Sequence, residues 1–200
     1  MDGPIVSILV FGMAGWFLKQ WFSDRKDAMA GNPHPKGLPG ATECSNKAIA
    51  FGVAGGIGIA LLVTAAEFAA GVAGDQSEIA ASALLGMLGA AVIEEVIVRS
   101  WIVVTKKGKR MLIGSCIVVS LAFALGHPFL WDTEDGLRFK AELQPMISAC
   151  GIFSISLWLY AARFLPLNPK HSLLPCFAGH AAFNIVVFIV KLALGLVLIG

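Results

Sequence analysis

The sequence predicts an all-α protein: a polytopic membrane bundle of about six transmembrane helices, forming one domain over residues 1–200. Three observations lead there. Of the 200 residues 57% are hydrophobic and only 14% charged, and the mean hydropathy is +0.79. A soluble domain of this size needs a far more polar surface. The apolar residues gather into six runs on the order of 17 to 28 residues, the length that crosses roughly 30 Å of hydrocarbon. The basic residues concentrate in alternate loops, as the positive-inside rule demands of a threaded chain.

The first run, Ile5 to Trp21, is short and interrupted by Lys19. It lacks the basic flank and small-residue cleavage site of a signal peptide. The second spans Ala48 to Ala73, the third Ile79 to Val104 and the fourth Met111 to Trp131. The fifth spans Met146 to Leu165 and the sixth Leu173 to Ile199. Helices are expected throughout, because a helix satisfies its own backbone groups in lipid. The alternation of a membrane β-barrel is absent. Trp101 and Trp131 stand where interfacial anchors belong. Gly52 and Gly56, four apart, would allow close helix contact.

Residues 23–47 are rich in Pro and Gly and carry Arg25, Lys26, Lys36 and Lys47. The loop 105–110 carries Lys106, Lys107, Lys109 and Arg110, and Arg163 and Lys170 flank the loop between the fifth and sixth runs. These three loops are assigned to the cytoplasm, which puts both termini outside. No concentrated basic patch points to nucleic acid. Cys44, Cys116, Cys150 and Cys176 lack paired spacing and read as reduced, structural thiols.

Ionisable groups inside the runs set a physical problem. "GAAVIEEVIVRSWIVV", residues 89–104, places Glu94, Glu95 and Arg99 in mid-span. One charge at the bilayer centre costs roughly 2.5–3.5 kcal/mol on the mildest scale, so these groups must face protein or water. Glu95 and Arg99 are i,i+4 neighbours and can pair. Glu94 lies about 100° around the helix and is left for other work. "FALGH" sets Phe123 and His127 four apart in the fourth run, and "HAAFN" does the same for His180 and Asn184 in the sixth. Glu67 and Lys191 are lone charges at similar depth in the second and sixth runs, and are expected either to pair or to snorkel.

"EEVIVR", "FALGH" and "HAAFN" resemble, in order, the EExxxR, FxxxH and HxxxN motifs of the CPBP family, the CAAX proteases and bacteriocin-processing enzymes. That family is also called Abi and includes the type II CAAX prenyl endopeptidases. The resemblance runs over about residues 80–190, within a core region of 79–199. Where many members carry an aromatic before the motif arginine, this chain has Val98. The resemblance implies an intramembrane glutamic endopeptidase with its active site inside the bundle. Its implied site is Glu94, Glu95, His127, His180 and Asn184, supported by Arg99 and Phe123. Glu94 resembles a general base that activates water, His127 a group holding that water, and His180 and Asn184 an oxyanion hole; Glu95 and Arg99 take supporting roles. No cofactor is implied. The implied partners are the lipid bilayer and a membrane-associated peptide or protein: a CAAX-type tail, a leader or a pheromone precursor. The implied location is the cell membrane of a prokaryote, or the ER membrane of a eukaryote.

Other chemistries use the same residues. Glu94, His127 and His180 are three possible zinc ligands, though HExxH is missing. Cys176 lies four residues before His180, the spacing of a Cys–His pair. Buried Glu and His also suit a proton or ion pathway, or a non-proteolytic immunity or scaffold protein.

Overall fold

The computed structural model of the chain describes residues 3–132 and 137–198. It is a helical bundle with six α-helices among the described residues: α1 (Pro4–Met29), α2 (Asn46–Ala69), α3 (Ala83–Val96), α4 (Lys109–Leu125), α5 (Leu143–Phe164) and α6 (Leu174–Ala193). A π-helical turn, Ile97–Ile102, continues α3. Among the described residues four helices, α1, α2, α5 and α6, are long and apolar enough to cross a membrane. The protein is therefore an integral membrane protein. The third and fourth expected spans correspond to shorter elements, the 14-residue α3 with its six-residue π turn and the 17-residue α4.

The element ends differ from the apolar runs for local reasons. α1 continues beyond Trp21 to Met29 because "SDRKDAM" contains no helix breaker. Its last turns then hold the following segment. The Leu38 amide donates to Asp24 Oδ2 at 2.7 Å, and Arg25 Nε donates to the Thr42 carbonyl. α3 starts four residues later than the run, because Ile79–Ala80 (β1) pairs in parallel with Val197–Leu198 (β4). A second short pair, β2 (Trp131–Asp132) with β3 (Arg138–Phe139), is antiparallel. α4 stops at Leu125, with Gly126 as its C-cap. Pro128 pushes the preceding His127 into extended backbone, φ −75° and ψ 131°. His127 thus stands in the turn after the helix rather than on the helix face that the spacing suggested. Ile199, the end of the sixth apolar run, lies outside the described residues.

α6 occupies the centre, packed on α2, α3 and α5, while α1 lies against α3 and α4 against α5. The α2–α6 contact depends on missing side chains. A β-carbon on Gly52 would sit 2.2 Å from the Pro175 carbonyl oxygen, and one on Gly56 would sit 2.1 Å from that of Gly179. Backbones can approach this closely only where both faces are small. Gly89 does the same for α3, its β-carbon position lying 2.9 Å from the Phe11 backbone of α1.

The expected Glu67–Lys191 pair does not form. Both side chains are buried. Glu67 instead accepts hydrogen bonds from Gln76, Gln144 and Ser148, and Lys191 Nζ donates to the Ser77 carbonyl at 2.7 Å. Polar groups of the 76–77 segment and of α5 lie closer to each charge than the charges lie to one another. At the opposite end of the bundle, loop 40–45 is stitched to 167–172. Thr42 Oγ1 donates to the Lys170 carbonyl, Ser172 Oγ to the Thr42 carbonyl, and Lys170 pairs with Glu43.

Candidate active site

α3 supplies two adjacent carboxylates with opposite surroundings. The Glu95 side chain is fully buried, whereas that of Glu94 is 35% exposed. The helical offset of about 100° between neighbours produces this split. Glu95 Oε2 lies 3.2 Å from Arg99 Nε, the i,i+4 pair read from the sequence. The two charges touch, but their N–H···O line is bent, so neither atom completes a hydrogen bond there. Arg99 Nη1 and Nη2 also lack hydrogen-bond partners. What flanks the guanidinium is aromatic: Cζ lies 5.2 Å from the Phe123 ring centre and 4.8 Å from that of Tyr160. Two ring faces hold a desolvated cation by cation–π attraction, up to about 2 kcal/mol each in such settings.

α6 brings His180 between the carboxylates. Its Nδ1 lies 2.9 Å from Glu95 Oε1 and its Nε2 lies 3.8 Å from Glu94 Oε2. A carboxylate held by Arg99 can only accept, so Nδ1 carries the proton in that bond. His127 is oriented in the same way. Its Nδ1 lies 2.7 Å from the Phe123 carbonyl oxygen, which also can only accept. The ring therefore folds back toward the previous turn and presents Nε2 as a lone pair. Phe123 joins the group physically: its ring meets His127 edge-on at 4.9 Å, His180 at 6.5 Å and the Arg99 guanidinium on its face. Asn184, one turn beyond His180 on α6, donates from Nδ2 to the Met87 carbonyl of α3 at 2.8 Å. Of the residues singled out in the sequence, Glu94, Glu95, Arg99, Phe123 and His180 meet directly. His127 joins through Phe123, and Asn184 is engaged one turn away.

Cys176 does not partner His180; it is buried, with its thiol toward the Leu159 carbonyl. Among the described residues, no group of three His, Cys, Asp or Glu side chains stands at the spacing a metal ion requires. Two residues at the site have no sequence motif. Tyr160, the chain's single tyrosine, donates its hydroxyl to the Val98 carbonyl at 2.8 Å. Arg163, which reads in the sequence as a topology charge, is buried and donates through Nη1 to Ser100 Oγ at 3.1 Å. α5 thus grips the π turn at two places, Val98 and Ser100. The i,i+3 spacing of Tyr160 and Arg163 on an apolar helix is the one trace of this in the sequence.

No curated protein and no solved structure matches the chain. A family model does match: Type II CAAX prenyl endopeptidase Rce1-like, over residues 76–186. That stretch is more than half of the chain and includes every residue of the cluster on α3, α4 and α6. With the three motifs in order in a helical membrane bundle and this match over more than half of the chain, the chain belongs to the type II CAAX prenyl endopeptidase Rce1-like family of intramembrane proteases.

Proposed function

We propose that the protein is a glutamic endopeptidase that hydrolyses a peptide bond of a membrane-associated peptide or protein, with water as the nucleophile. The observation that carries this is the division of labour between the carboxylates. Arg99 occupies Glu95, whereas Glu94 has no cation of its own within α3 and faces His180 Nε2. A carboxylate so placed can take a proton from water as attack begins.

The proton bookkeeping closes. One water hydrogen goes to Glu94 and the other points at the lone pair of His127 Nε2, so the oxygen lone pair faces the scissile carbonyl. As the C–O bond forms, Glu94 becomes the acid, and the carbonyl oxygen takes up negative charge. His180 and the second N–H of Asn184 line the place where that charge develops. Collapse of the intermediate breaks the C–N bond, and Glu94 returns its proton to the leaving amine.

The test is cleavage of a membrane-embedded peptide library by purified protein, with native-host membrane peptidomics beside it. Glu94→Gln should keep the wild-type melting temperature and lose turnover. Asn184→Ala should lower kcat on the order of 10²–10³ without raising KM. An active Glu94→Gln enzyme refutes the assignment. Loss of activity with chelator and recovery with zinc would replace it by metal-assisted hydrolysis.

A further inference from the structure

We infer that Tyr160 is a positioning residue for the reaction, acting through Arg99 and Glu95 on the His180 imidazole. The inference rests on the proteolytic reading for its kinetic consequence and on geometry alone for its spectroscopic one. Tyr160 lies on α5, a helix that contributes nothing to the three motifs, and is 3% exposed. It makes two contacts with the end of α3. Its hydroxyl donates to the Val98 carbonyl at 2.8 Å, inside the π turn. Its ring centre lies 4.8 Å from Arg99 Cζ in the next residue.

Each contact compensates for something the π turn disturbs. A π turn is wider than an α turn and persists where the surroundings hold it, often at a functional site. The Tyr160 hydroxyl ties one of its carbonyls to α5. The turn also delivers Arg99 to a place where Nη1 and Nη2 find no hydrogen-bond acceptor. A fully buried guanidinium in that state has nothing directional to fix it except the bent contact to Glu95 and the two ring faces. Phe123 supplies one face and is itself on the helix that leads to His127. Tyr160 supplies the other and anchors the backbone as well. If Arg99 shifts, Glu95 Oε2 shifts with it, and Glu95 Oε1 is the acceptor that orients His180 Nδ1. The sequence of contacts is Tyr160, Arg99, Glu95, His180, and Tyr160 touches neither the water nor the scissile bond.

The experiment uses the full-length protein, comparing Tyr160→Phe and Tyr160→Leu with wild type. Tyr160→Phe keeps the ring and loses the hydroxyl. Tyr160→Leu loses both. Expected is a fall in kcat at unchanged KM, about tenfold for Phe and on the order of 10² for Leu, as for a displaced catalytic group. In a Glu95→Gln background Tyr160→Leu should add little, because the path to His180 is already cut. Histidine-labelled protein gives the second readout: the His180 Nδ1–H resonance should move in both variants, and further in Tyr160→Leu. Wild-type kcat in Tyr160→Leu, or full additivity with Glu95→Gln, overturns the inference. Should the leucine variant not fold, wild-type kcat in Tyr160→Phe does the same. If wild type cleaves no peptide, the proteolytic reading fails, and an unmoved His180 resonance in folded Tyr160→Leu separately sinks the positioning role.

Discussion

Gly56→Ala adds one methyl group where the α2 and α6 backbones meet. Its β-carbon would fall 2.1 Å from the Gly179 carbonyl oxygen and 3.2 Å from the Phe183 amide nitrogen. Carbon–oxygen contacts normally begin at about 3.3 Å, so α6 must retreat by about 1 Å. Overpacking of this kind costs about 1–3 kcal/mol. Alanine returns about 1 kcal/mol through its helix propensity. The net loss of stability is therefore small, about 0–2 kcal/mol. Activity is affected more. His180 directly follows Gly179, and a misplacement of about 1 Å in a catalytic group can cost on the order of 10² in rate. The assay pairs thermal unfolding in detergent with kcat on a cleaved peptide. Gly58→Ala is the internal control on the same helix, because nothing lies within 4 Å of its β-carbon position. It should retain full turnover and equal or higher stability. Wild-type kcat in Gly56→Ala would refute the claim that glycine contact sets the position of His180.

Further outcomes follow from the same geometry. Glu95→Gln leaves the Arg99 guanidinium buried without a counter-charge, a loss of about 3–5 kcal/mol; the melting temperature should drop while measurable turnover remains, and an unchanged melting temperature contradicts the pair's role. Lys107→Cys should react with an impermeant maleimide from the cytoplasmic side only, and labelling from outside alone would invert the topology. Burial pushes the Cys44 thiol above its ordinary range, chiefly by desolvation. Only the thiolate reacts, so Cys44 alkylation should still be accelerating with pH well above about 8.5, where an ordinary thiol levels off.

Much of the site was legible because local periodicity carries it. The i,i+4 spacing of Glu95 and Arg99 predicts their contact, and the 100° step from Glu95 to Glu94 predicts the split between a paired and an available carboxylate. Composition and run length announce a membrane bundle, because lipid admits few other ways to satisfy a backbone. Gly52 and Gly56 foretold a close helix contact for the same local reason. His127 shows a signal present but overridden in the reading: apolar spacing suggested a helix face, while "GHP" sets the boundary two residues earlier.

Three features were decided only in three dimensions. Tyr160 and Arg163 grip the π turn from α5, more than sixty positions away, and no spacing rule links residues that distant. Glu67 and Lys191 share a depth but not a bond, because Gln76, Ser77, Gln144 and Ser148 reach each charge first. The proton positions on His127 and His180 follow from which acceptor faces each Nδ1, the Phe123 carbonyl or the Glu95 carboxylate. The sequence by itself determined the helices, their membrane setting and which residue types meet. Which acceptor faces each histidine Nδ1 depended on packing between helices, since hydrogen bonds and cation–π contacts act over a few ångströms and only the assembled bundle brings their partners that close.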